Sequence, residues 1–143
     1  MVFKELDDLL DRYHAAGASF VDGDPEPQKA VFSHSADACL INPMGIVARG
    51  WPAVATTMDA AAARFCGGEI TFELIHRVET PDVAYIAEVE RWRARLVETG
   101  DFGSGELRVT SVLRRESRGW RVVHRHADPI PPQLPPHSTS DDP

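Results

Sequence analysis

The stretch from Glu69 to Ile130 constrains the fold most. "EITFELIHRVET", "VAYIAEVERWRARLV", "ELRVTSVLRRES" and "WRVVHRHADPI" alternate apolar and polar side chains over long runs, the period that lines one face of a strand. They are separated only by "PD", "GDFGSG" and "SRG". Connections this short join antiparallel neighbours, because parallel strands need a crossover of about a dozen residues or more. The C-terminal half is therefore expected to be a long antiparallel meander that curls as it twists. "DFGSG" leads into no helical pattern, so it reads as a hairpin and not as a phosphate cradle.

Upstream the period changes. Phe3, Leu6, Leu9, Leu10, Tyr13 and Phe20 recur at helical spacing with acids between them, which predicts an amphipathic first helix ending near "VDGDPEP". "PQKAVFSHSAD" predicts a short second helix. "ACLI" and "IVAR" predict two strands around the turn "NPMG", where Pro43 and Gly45 supply fixed and permissive backbone angles. Gly50, Trp51 and Pro52 open a third helix, "AVATTMDAAAARF", with Gly67 and Gly68 as its stop. Helices followed by a meander give an α+β domain, one sheet face covering the helices. In "VAYIAEV" both alternating sets are largely apolar. The other face therefore needs cover as well, most simply from a second copy of the chain, and a homodimer through the sheet is expected.

The chain has 143 residues, 43% hydrophobic and 26% charged, the balance of one ordinary globular domain with a self-sufficient core. Residues 1–130 carry all the patterned segments. Residues 131–143, "PPQLPPHSTSDDP", hold nothing to bury and are expected to be a flexible appendage. A formal net charge of −7 argues against nucleic acid, whose binding needs clustered positive charge. Arginines do gather between Arg91 and Arg125, and a sheet surface laced with glutamates accounts for them. Cys39 and Cys66 lack metal-ligand or disulfide-framework spacing and are expected to be buried free thiols. The acidic N-terminus shows neither a signal-peptide pattern nor a membrane span, so a cytoplasmic location is expected.

The order of "DRYHAAGASFVDGD", "LINPMGIVARGW" and "LRVTSVLRRESRGWRVVHRHADP" resembles the nuclear-transport-factor-like superfamily, and within it the SnoaL-like and ketosteroid-isomerase-like proteins. The resemblance covers residues 1 to about 130. It implies a cone-shaped α+β barrel, a curled, mostly antiparallel sheet wrapped around the N-terminal helices, with a pocket between helices and sheet and dimers through the sheet. Family members range from isomerases, cyclases and dehydratases to non-catalytic transport and assembly domains, so fold alone does not give chemistry. By the isomerase pattern, Tyr13 takes the place of an oxyanion-binding tyrosine. Asn42 in "NPMG" stands where the pattern has a catalytic aspartate, and an amide cannot serve as a base near neutral pH. The isomerases' second acid falls near Ser111.

The remaining site candidates come from the strands. His124, His126 and Asp128 point to one side of an unbroken strand. As a metal site the pair is short of ligands, since zinc sites normally take three or four protein ligands with outer support; no metal and no cofactor are expected. As an acid/base site, His126 or His124 would need a carboxylate, and Glu90 and Glu88 share a strand face with Ile86 and Trp92. The structural alternative is that one histidine hydrogen-bonds across the sheet or dimer interface and the other caps the barrel rim, and a single bulge would turn both to the opposite face. Trp51 and His34 are further candidates for ligand contact, although packing at the helix start is the first expectation for Trp51. The resulting expectation is a pocket for a small organic ligand, apolar and either cyclic or carbonyl-bearing. His126, His124, Glu90 and Tyr13 are the catalytic candidates, and Asn42, Trp51, Glu88 and His34 the substrate-binding ones. The reaction expected is cofactor-free isomerisation, cyclisation or dehydration by proton transfer. The alternative is a non-catalytic ligand-binding or dimerisation module.

Overall fold

The first helix, α1 (Val2–Val21), forms where the apolar spacing places it. Leu6, Leu9, Leu10, Tyr13 and Ala16 make one buried stripe, and each buried leucine contributes about 1.5–3 kcal/mol relative to exposure. The computed structural model describes residues 2–131; the expected appendage therefore lies, beyond Pro131, outside the described residues. Among those residues no helix is long and apolar enough to cross a membrane.

The second helix, α2 (Glu26–Val31), is shorter than "PQKAVFSHSAD" suggests. Phe32 turns to extended geometry, with φ −87° and ψ 149°, and its side chain is fully buried. Ser33 N–H then donates to the Val122 carbonyl at 2.7 Å. Core burial of one phenylalanine outweighs the local helical pattern. Two short strands follow, β1 (Cys39–Ile41) and β2 (Val47–Arg49), then α3 (Trp51–Ala62), entered through Gly50 at φ 83°. This third helix stops before the glycine pair. Gly67 and Gly68 instead lie inside β3 (Phe65–Glu79), at a register shift against its neighbour. A Cβ on Gly68 would come within 2.3 Å of the Arg93 carbonyl oxygen, so the glycine serves close strand approach and not helix termination.

The long strands are β3, β4 (Val83–Leu96), β5 (Phe102–Glu116) and β6 (Gly119–Pro129). The sheet order is β2-β1-β6-β5-β4-β3, antiparallel throughout except where β1 runs parallel to β6. The sheet curls around the helices in a cone-shaped α+β fold. At its closed end Trp120, Val122, Leu113 and Ile86 pack on α1 and Phe32. Arginines on the sheet are tied up in ion pairs: Arg91 with Glu73 and Glu106, Arg114 with Asp37 and Glu116. Both cysteines are free thiols, but Cys66 is exposed and Cys39 half-buried. Cys66 sits on edge strand β3, where no neighbouring strand covers it.

Candidate active site

At the open end of the cone α1, α3 and the sheet enclose a cavity of about 110 Å³. Phe20, Met58, Phe65, Ile70, Phe72 and Trp92 give it apolar walls. Two glycines shape these walls. A Cβ on Gly17 would lie 2.9 Å from Phe72 Cζ, and one on Gly105 would lie 2.7 Å from Trp92 Nε1. The missing side chains leave room for both rings.

The polar end is a single buried network. Arg125 donates to both Glu90 oxygens at 2.8 Å and to the Tyr13 hydroxyl at 2.9 Å. That hydroxyl is 2.7 Å from Ser111 Oγ. Burial opposes the charge on Arg125, but Glu90 and Tyr13 together hold its pKa well above the ordinary guanidinium value. Burial also pushes the Tyr13 phenol up, with Arg125 offsetting part of the rise. Tyr13 is thus a neutral hydrogen-bond donor near neutral pH. Asn42 lines the cavity too, with its Oδ1 accepting from Met44 N–H at 3.0 Å and Ile46 N–H at 3.1 Å. The amide oxygen fixes the "NPMG" turn, which leaves the amide nitrogen side for the cavity.

Beside Tyr13 a second pair reaches the cavity. His14 Nε2 is 2.7 Å from Glu88 Oε2, and the His14 ring stacks on Phe72 with centroids 4.2 Å apart. Glu88 is 2% exposed and does not itself line the cavity. An imidazole held by a buried carboxylate has one nitrogen fixed and the other available for proton transfer.

The structure brings Tyr13, Glu90 and Asn42 to the cavity, and Glu88 to its edge through His14. It takes His124 and His126 elsewhere. Val112 pairs with His124 but Leu113 pairs with Val122, so Val123 has no partner on β5. This bulge reverses the faces. Trp120 and Val122 point to the helices before it, and Arg125 points there after it, so His124 and His126 lie on the outer face. There His126 Nε2 is 2.8 Å from Asp128 Oδ2 in an exposed pair. Burial, then His126, lowers the His124 pKa. Among the described residues no group of three or more His, Cys, Asp and Glu side chains converges as metal ligands would. Glu90, expected to orient a histidine, is instead bound at both oxygens by Arg125. His34 and Trp51 also lie outside the cavity: their rings stack 3.8 Å apart, and His34 Nε2 meets the Lys29 carbonyl at 2.8 Å. Trp51 packs against the core.

His14 and Arg125 are the site residues that the sequence reading missed. Leu10, His14, Gly17 and Val21 follow one another at spacings of four, three and four, a helical stripe in which the one polar member marks a site. For Arg125, the adjacent apolar pair Val122 and Val123 breaks the alternation where the bulge occurs.

Residues 6–131 match the family described as "SnoaL-like domain". No curated protein matches the chain in sequence. Among solved structures, a nuclear transport factor 2 (NTF2-like) superfamily protein from Salmonella enterica is 22% identical with TM-score 0.75, covering 93% of this chain and 94% of that one. A ketosteroid isomerase-like protein from Erwinia carotovora is 19% identical with TM-score 0.73, covering 88% and 94%. A protein with a cystatin-like fold from Caulobacter vibrioides is 17% identical with TM-score 0.66, covering 99% and 96%. At these identities the likeness establishes the shared fold and leaves chemistry to the site.

Proposed function

Since the chain belongs to the SnoaL-like domain family, we propose that its cavity takes a small, uncharged, largely apolar molecule bearing one oxygen function, and that His14 moves a proton on it. The observation that carries this reading is the His14–Glu88 pair, 2.7 Å apart, at the wall of an apolar cavity. With Nε2–H donated to Glu88, Nδ1 is the acceptor. It takes a proton from the carbon next to the substrate carbonyl, and Glu88 stabilises the imidazolium that forms. Charge developing on the substrate oxygen is met by the Tyr13 hydroxyl, polarised by Arg125, and by the Asn42 amide. Returning the proton to a different carbon is isomerisation; delivering it to a leaving hydroxyl is dehydration. The scheme calls on no cofactor. Glu90 and Arg125 cancel each other's charge, which favours a neutral ligand over a carboxylate or an amine.

Deuterium incorporation into a small cyclic ketone such as 2-tetralone, followed by NMR in heavy water, tests this. Wild-type protein is expected to accelerate exchange at the α-carbon. His14→Gln should lose about 10²–10⁴-fold, the usual worth of a positioned acid or base, and Tyr13→Phe should lose less. One observation favours a carrier instead: among the described residues no unpaired carboxylate faces the cavity, since Glu90 is bound by Arg125. Saturable ketone binding with exchange no faster than in buffer would decide for the carrier.

The homodimer is proposed on the same footing. Val78, Tyr85 and Val112 are aligned across β3, β4 and β5 on the outer face, with Tyr85 37% and Val83 45% exposed. Such a row favours a second copy of the same face. Sedimentation should give a dimer at micromolar concentration and a monomer for Tyr85→Lys; a monomeric wild-type protein removes the proposal.

A further inference from the structure

On the opposite side of His14 from the cavity, an open groove of about 370 Å³ runs between α1 and β3. Leu10, Leu74 and Ile86 give it an apolar floor, and Asp7, Asp11, Arg77 and Glu88 give it charge. Two of these charges are already matched. Arg77 holds Asp7 at 2.5 Å and also contacts Glu79. The others are not. Asp11 is exposed with no ion-pair partner among the described residues. Glu88 gives one oxygen to His14, while its Oε1 is buried with no hydrogen-bond partner among the described residues. A carboxylate oxygen in a side chain 2% exposed is costly to leave unpaired. It calls for a donor, and Glu88 lines the groove.

We propose that this groove is a second ligand site, selective for a primary alkylammonium. The ammonium has three N–H donors: one reaches Glu88 Oε1, one the Asp11 carboxylate, and the third remains in water. Its alkyl stem lies over Leu74, 56% exposed, as lysine stems lie on apolar surface. A guanidinium would duplicate Arg77, which already fills the planar position between Asp7 and Glu79. Among the described residues no metal-binding group forms here, so a divalent ion lacks the ligands it needs. The site differs from the cavity in the charge it takes, and shares with it only His14.

Titration of methyl-labelled protein with hexylammonium chloride, observed by NMR, tests the assignment. Saturable shifts are expected at Leu10, Leu74 and Ile86 and at the His14 ring, with Met58 and Ile70 of the cavity unmoved. Glu88→Gln should weaken binding by about 10–100-fold, the worth of a hydrogen bond to a charged group. Asp11→Lys, at an exposed position that cannot endanger the core, should weaken it at least about tenfold by placing a competing cation in the groove. Hexanol is the control for the alkyl stem alone. Equal binding of hexanol, unchanged affinity in both variants, or shifts confined to Met58 and Ile70 would each overturn the proposal. None of those results bears on ketone exchange by His14, so the two readings fail separately.

Discussion

Replacing Arg125 with methionine is expected to cost the fold about 3–5 kcal/mol, the penalty for stranding a buried charge. Glu90 is 3% exposed and both its oxygens are satisfied by Arg125 at 2.8 Å. Methionine fills comparable volume but donates nothing, so Glu90 must either stay charged and unpaired while buried or take up a proton. Tyr13 also loses a donor. Replacing both members, Arg125→Met with Glu90→Leu, should recover most of the loss, because a buried ion pair is often worth little over well-packed apolar residues. Urea denaturation of the two variants measures this directly, provided the slope of the transition is unchanged. A single variant within about 1 kcal/mol of wild type, or a double variant no better than the single, would mean that the pair is solvated and not buried.

The second large effect belongs to Trp120. Its side chain is 2% exposed at the closed end of the cone, packed with Phe32, Leu113 and Val122 in the main core. Truncation to alanine should cost about 3–5 kcal/mol, for lost burial plus the cavity left behind. Phenylalanine should be far milder. Trp120 Nε1 is buried with no hydrogen-bond partner among the described residues, so the wild-type core already bears the cost of an unmet donor, about 1–3 kcal/mol. Removing that donor offsets much of the volume lost, and Trp120→Phe is expected within about 1.5 kcal/mol of wild type. Equal losses for the two variants would show that the indole N–H is paired after all.

What the sequence disclosed divides along physical lines. Periods of two and of 3.6 are properties of a residue's immediate neighbours, so β3 to β6 and α1 were legible, as were the helix entry at Gly50 and Pro52 and the turn at Pro43 and Gly45. Glu88 and Glu90 were legible as inward-facing because their strand phase is continuous with Ile86, whereas Tyr13 and Asn42 entered through the resemblance to the isomerase pattern, and both line the cavity. The face of His124 and His126 stayed open in the sequence because one unpaired residue, Val123, reverses everything after it. The extent of α2 depended on Phe32 finding space in the core, a tertiary matter. His14 escaped notice because its value lies in Glu88, 74 positions away, and no local pattern announces that meeting.

The parallel pairing of β1 with β6 has a consequence for the order in which the molecule is made. Tyr13 and Ser111 are 98 positions apart, Tyr13 and Arg125 are 112, and Glu90 leads Arg125 by 35. While the chain is being synthesised, the helices, β1 and the β3–β4 hairpin emerge without the strand that sits between β1 and β5. Until β6 arrives, Glu90 has no counterion and β1 has no neighbour to join it to the rest of the sheet. The cavity's polar end is therefore completed only once β6 has left the ribosome, and a nascent chain cut short before it would expose an unpaired sheet edge, the surface most prone to join another chain.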